Sequence, residues 1–532
     1  MTTMKKFLII LAVASAALCC SKNSLFQWNE KKGDKEEFSH DMIVLGEQLP
    51  DPYSVSNMSR ALQVVAPAGA GRTNLEPTDF YVRFLPKDDA QMQTLLDLGL
   101  ELTDYPLDYR IVRHGDWYHD PSVPEEEMTW QYAVVPVDFT FPKNVRYERL
   151  DDCFIADHNP STKSDGIDWD AVEREAFRLT GNEEFLPPST RDDGTSGAGT
   201  PQGRIAIMDP SFDEEATGVK GVKVSCNAFV KFSTCYTDEE GYYKMGKSFS
   251  SNVQYRLVFQ NVKGFCQGIN YILVPASVST LGKHEPTGYS LIIDSSSESK
   301  LFARCVMNNA GYDYLEYAKE NPGTLPFPPK DFRIWNLPFW EGELPDMLHQ
   351  GVIFDTYEPL SSALGEFAAI AKLIHADVLS GYKGASTYEE IYALGLHAFA
   401  HGGHFSQVGK DWWSDYTEYA AGSLISSTLK NPYGARDDDG YNYCEVAETY
   451  AFYCQSMLYR KHYRESAAVF GTHWWFAPQL LMFLDERGLG LDKLPSMFTS
   501  EVTDMDVLHD KLLSYYPSFK SVINEAYTRY GN

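Results

Sequence analysis

Hydrophobic and polar positions alternate along the first half of the chain and fall into helical spacing along the last third. FYVRFL (80–85) reads as a strand, DDAQMQTLLDLG (88–99) as an amphipathic helix opened by Asp, and LELTDYPLDY (100–109) as a further extended segment. Alternation returns in YAVVPVDFTF (132–141), and GVKGVKVSCNAFVKFSTCYTDEEGYYKM (218–245) predicts strands joined by a tight turn. Helical periodicity then predicts helices over 360–375, 387–402, 412–430, 444–462 and 505–530. ADVLSGY (376–382) reads as a short strand ahead of the second of these, whose start is marked by Thr387 and Glu390 at capping-box spacing.

Two stretches rich in Pro, Gly, Ser and Thr break this pattern, at 187–203 and 320–331. The expected organisation is multidomain α+β. It comprises a signal segment (1–20), a polar tether (21–44), a small N-terminal α+β domain (45–186), a linker (187–203), a β-rich domain (204–300), a connecting segment (301–331) and a mainly helical C-terminal domain (332–532). A chain of 532 residues is long enough for several cores, and no repeat of solenoid length appears in it.

Charge narrows the partners. Lys and Arg number 46 against 74 Asp and Glu, a net charge of −28, and no compact basic cluster offsets it. Phosphate backbones need a basic surface, so nucleic acid is excluded as a partner. The N-terminus carries Lys5 and Lys6, an apolar run from Phe7 to Leu18, and then Cys19 and Cys20. That run is too short for a stable bilayer span. It resembles a bacterial lipoprotein signal, which implies lipidation at Cys20 and a membrane partner through that lipid, with the protein in the cell envelope at the outer membrane. An ordinary secretory signal is the alternative. Seven further cysteines show no framework spacing; Cys226 with Cys235 and Cys444 with Cys454 are close enough in sequence to be pairs.

Candidate chemistry is concentrated in HAFAHGGHF (397–405). His397 and His401 lie four apart, so on a helix both imidazoles leave one face and can grip one ion. In an HExxH helix the residue after the first His is the Glu that activates a metal-bound water, and here that position is Ala398. The later helical stretch CEVAETYAFY (444–453) offers Glu445 and Glu448, and a carboxylate from a later helix is a normal third zinc ligand. His404 would stand about 10 Å along a continuous helix from His397, beyond the reach of the same ion unless Gly402 and Gly403 break the helix. The same histidines also fit the plainer role of buried helix residues that never meet a metal.

These motifs resemble a gluzincin-type family of bacterial lipoproteins whose first motif reads HELAHxxHF and whose second reads GEMWxxY or similar. The resemblance spans about 376–460. It implies zinc held by His397, His401 and Glu448, with Phe399 replacing Leu and Ala398 replacing the general base. What it implies is a metallopeptidase-like domain that is catalytically inactive and serves binding or structure. One alternative is an active metallohydrolase using another carboxylate, Glu445 or Glu418. The other is a glycan-binding surface lipoprotein without metal, its platform drawn from Trp412, Trp413, Trp474 and Trp475. The ligand would be a peptide, a protein or a glycan. In the β-rich domain, Thr237, Asp238, Gly241 and Tyr243 match the TDxxGxY turn of carboxypeptidase regulatory-like domains, and that resemblance implies a prealbumin-like β-sandwich.

Overall fold

The computed structural model describes residues 42–67, 75–115, 117–124, 127–163, 165–188, 197–212, 216–268, 276–297, 299–338, 340–363, 375–464 and 467–531. The signal segment, Cys20 and most of the tether lie outside the described residues, as does the middle of the expected linker at 187–203. The chain is mixed α and β, with β-sheets ahead of a helical C-terminal region. It divides into two compact units, one gathering Phe38–Val262 and Ile269–Cys305, the other Lys263–Gly268 and Val306–Asn532.

In the first unit a three-stranded antiparallel sheet places Asp79–Leu85 between Gln131–Pro136 and Arg146–Cys153. Alternation decides which side chains enter the core: Val82 and Phe84 from the central strand and Ala133 and Val135 from its neighbour are buried together with Leu95 of the helix Asp89–Asp97. Asp88 caps that helix by accepting a hydrogen bond from the Gln91 N–H. The strand expected over 132–141 stops at Pro136, which has no N–H to continue the ladder.

A second, antiparallel sheet in this unit runs Lys231–Tyr236, Val222–Ala228, Val253–Asn261, Val278–His284. A third pairs Gln202–Ile207 with Tyr242–Lys244 antiparallel and with Leu291–Ile293 parallel. The turn at 237–243 has the hydrogen bonds that its residue types call for. Thr237 donates to Val219 O (2.6 Å), Asp238 Oδ1 accepts from the Tyr242 N–H (2.7 Å), and buried Tyr243 donates to Tyr289 O (2.7 Å). Gly241 has φ +82°, and a Cβ there would sit 2.1 Å from Ile205 O, so only glycine closes this turn.

The second unit carries the His and Glu motifs. Its sheet runs Glu341–Leu344, Val378–Tyr382, Arg333–Leu337, Cys266–Gln267, parallel except for the antiparallel edge strand Glu341–Leu344. Residues 301–331, expected to connect domains, instead hold most of a 22-residue helix, Ser299–Glu320. Within the second unit its residues Val306, Ala310 and Tyr314 are buried, and because apolar residues surround its axis it lacks the one-sided stripe that marks a surface helix.

The helical run Tyr388–Ser426 opens on the expected capping box, with Thr387 accepting from the Glu390 N–H and Glu390 accepting from the Thr387 N–H. It continues through Gly402 and Gly403 and is interrupted only at Gly409 (φ +82°, ψ 173°). A Cβ on Gly402 would lie 2.7 Å from the Phe332 ring, and one on Gly403 2.8 Å from Pro326 O. The glycine pair is thus a packing surface and not a break. Phe399, where the resembled motif has Leu, is buried edge-on against Phe265 and Phe332. Beyond it come the helices Tyr441–Tyr463 and Pro478–Asp485, and the segment 505–530 is two helices, Met505–Tyr515 and Lys520–Tyr530, separated at Pro517. Of the helix expected over 360–375, Tyr357–Ala363 is helical and 364–374 lies outside the described residues. No helix among the described residues is long and apolar enough to cross a membrane.

Candidate metal centre

His397 and His401 project from the same face of their helix, and their Nε2 atoms stand 2.9 Å apart. The helix Tyr441–Tyr463 brings Glu448 against both: Oε2 is 3.2 Å from His397 Nε2 and Oε1 is 3.4 Å from His401 Nε2. Glu343 arrives from the edge strand, and one of its carboxylate oxygens lies within 4.8 Å of a ring nitrogen of each histidine. Glu343, His397 and His401 form a buried group that can hold a metal ion.

The surroundings orient these groups. Gln455 donates its amide N–H to Ala393 O (3.0 Å), so the oxygen of that amide faces His397 Nδ1 at 3.2 Å. An oxygen there requires the hydrogen to be on Nδ1, which leaves the Nε2 lone pair of a neutral His397 aimed at the cluster. Tyr416 donates to Glu448 Oε1 (2.7 Å), and Ser380, paired with Glu343 across the sheet, places its hydroxyl 3.4 Å from Glu343 Oε2. Glu343 Oε1, Glu448 Oε2 and His401 Nδ1 are buried with no hydrogen-bond partner. Glu448 Oε2 is near His397 but not aligned with it for a hydrogen bond. Buried polar atoms are ordinarily satisfied, and two carboxylate oxygens left open beside two converging imidazoles fit a divalent cation.

Without metal the charges are strongly coupled. Burial works against ionised Glu448, but His401 and His397 outweigh it and hold the carboxyl down to about 2. Burial pushes Glu343 up to about 8, with Glu448 reinforcing and His397 opposing. His397 is raised, its burial being overcome by the charges of Glu343 and Glu448, whereas burial lowers His401. A divalent ion would take over that balance, since imidazole and carboxylate ligands bind it in their deprotonated forms.

Ala398, which follows the first histidine of the pair, is fully buried. His404 is also fully buried and stands apart from the cluster, its ring stacked on Tyr450 (4.8 Å between centroids) and edge-on to Trp412 and Trp413. Burial drives its pKa well below the usual histidine range. Glu445 turns to Arg436 (3.5 Å), and Glu418 accepts from the Thr356 N–H (3.1 Å). Neither joins the histidines. Trp412 and Trp413 are buried with their N–H groups donating to Val502 O and Pro345 O. Trp474 and Trp475 are half-buried in a turn ahead of Pro478–Asp485, not in a helix. Cys226, Cys235, Cys444 and Cys454 carry thiols and form no disulfide.

Sequence reasoning missed three participants: Glu343, Gln455 and Tyr416. Gln455 and Tyr416 lie on the two helices already singled out, and Gln455 sits two helical turns from Glu448, on the same face. That spacing is a usable signal. Glu343 has none, since it reaches the cluster only through sheet pairing.

No family model matches the chain, and no curated protein does. Among solved structures, a 9R-lipoxygenase from Cyanothece PCC8801 matches over 29% of this chain and 29% of its own, at 8% identity and a TM-score of 0.11, too slight a likeness to bear on fold or function.

Proposed function

We propose that the C-terminal unit binds Zn²⁺ through His397, His401 and Glu448 and acts in binding or structure, as a metallopeptidase-like domain without peptidase activity. The observation that carries this reading is the convergence of both Nε2 atoms and the Glu448 carboxylate in a buried cluster, together with Ala398 in place of the water-activating carboxylate. Zinc suits two imidazoles and a carboxylate. Glu445 and Glu418, the other carboxylates considered for that role, are engaged elsewhere, which counts against an active hydrolase built on either. Cys20 is the proposed lipid attachment, tethering the protein to the outer membrane, where a peptide, protein or glycan would be its ligand.

Elemental analysis of the purified protein tests this, beside a His397→Ala/His401→Ala control. About one zinc per chain, lost in the control, is expected for a site of this kind. Chain with no metal in either sample would make the histidines structural. Peptide hydrolysis by the zinc-loaded wild-type protein, abolished in the control, would overturn the inactive reading.

A further inference from the structure

We propose that Glu343 is a fourth protein ligand of the metal, closing the coordination position that a hydrolytic water would need. The inference rests on the zinc-binding reading above and assigns a residue outside the two sequence motifs. Glu343 comes from the edge strand Glu341–Leu344, whose antiparallel pairing sets Glu343 directly opposite Ser380 and so fixes where its side chain begins. Its carboxylate reaches both histidines within ligand-sharing distance. The Oε2 contact to Ser380 is long at 3.4 Å, and Oε1 is buried without a partner. A buried polar oxygen left without a partner is costly, and a bound cation would satisfy it.

Chemistry and access agree. Two carboxylates, Glu343 and Glu448, with two neutral imidazoles exactly offset a divalent ion, leaving no net charge in a dry interior. Catalytic zinc sites keep three protein ligands and an open position, whereas sites with four protein ligands are closed and structural. Here Glu343 is 3% exposed, His397 3%, His401 0% and Glu448 0%, so the cluster is sealed from bulk water. A metal that holds no water needs no general base, which gives Ala398 a physical reason.

Cobalt(II) is the probe, because an ion with an open position takes up a small anion and its visible spectrum changes. The full chain is loaded with Co²⁺ and titrated with thiocyanate, for the wild type, Glu343→Gln and Glu343→Ala, and zinc affinity is read by chelator competition. The wild-type spectrum should not respond. Glu343→Ala should respond, and both variants should bind zinc roughly ten- to a hundredfold or more weakly, since even groups that only hydrogen-bond to a metal's ligands are worth that much. Glu343→Gln preserves shape, and unfolding of the metal-stripped variants separates lost ligation from lost structure. A wild-type spectrum that shifts with thiocyanate, or variants binding zinc within about twofold of wild type, would overturn the proposal while leaving His397, His401 and Glu448 as ligands. Wild-type protein that binds neither metal would remove the zinc reading itself.

Discussion

Gln455 presents its carbonyl oxygen, not its amide nitrogen, to His397 Nδ1 at 3.2 Å, because its nitrogen is committed to Ala393 O. The relationship fixes a tautomer from one helix on a side chain of another. A ring held this way keeps its Nε2 lone pair available to a metal and cannot swing out of position.

If the cluster binds zinc as proposed, Gln455→Ala should leave the fold intact and weaken that binding by roughly ten- to a hundredfold, as loss of such an orienting partner does at zinc sites. Competition against a chromogenic chelator reads the change. An unaltered affinity would show that His397 needs no orientation from Gln455.

The glycine pair gives a prediction about stability. Replacing Gly by Ala inside a helix ordinarily stabilises it by about 1 kcal/mol. At Gly403 the added Cβ would meet Tyr314 Oη at 2.5 Å and Pro326 O at 2.8 Å, and overpacking of this kind costs about 1–3 kcal/mol. Because one of the two neighbours is backbone and cannot rotate away, the cost should win. Gly403→Ala should lower the urea midpoint of the C-terminal unit; a midpoint at or above that of wild type would mean that the Pro326 segment yields.

A third prediction concerns pH. Asp51 is buried, and burial, helped by Asp151 and Asp108, pushes its carboxyl from 3.8 up to about 8 against the opposing hydrogen bond from the Tyr53 N–H. The folded state thus holds a proton that the unfolded chain releases near pH 4. Between pH 4 and about 8 folding binds that proton, so stability falls as pH rises across this window and levels off above it. Each unit of difference is worth about 1.4 kcal/mol, so the rise from 3.8 to about 8 puts the total at about 6 kcal/mol. Asp51→Asn keeps the acceptor for Tyr53 and removes the titration. Urea unfolding at pH 5, 7 and 9 should show wild type losing ground on the variant as pH rises; parallel curves would contradict the assignment.

Much of the candidate site was legible because helices make near neighbours of residues four apart. The capping box at Thr387 and Glu390 and the His397 and His401 pair follow local rules, and the structure shows the contacts those rules imply; Glu448 was singled out over Glu445 by the resemblance, and it is the one that lies against both histidines. Glu343 was not legible. It lies far upstream of both helices, and its place depends on the register Glu343↔Ser380, which no spacing within one segment encodes. The helix Ser299–Glu320 escaped for a related reason. Its buried residues face several directions, so the sequence shows apolar content without a period, and the stretch was read as a connecting segment with no helix of its own. The turn at Gly241 was legible because one backbone angle admits almost one residue.

The interruption at Gly409 has a stereochemical consequence. Its φ of +82° with ψ of 173° lies in territory that L-residues scarcely enter, yet nothing stands within 4 Å of where a Cβ would be. What forbids a side chain there is handedness alone. The mirror-image angles are ordinary extended backbone, so a D-alanine would fit the joint that an L-alanine would strain. The bend that separates the histidine-bearing turns from Tyr416, the donor to Glu448, is thus selected by chirality at a single α-carbon and not by crowding around it.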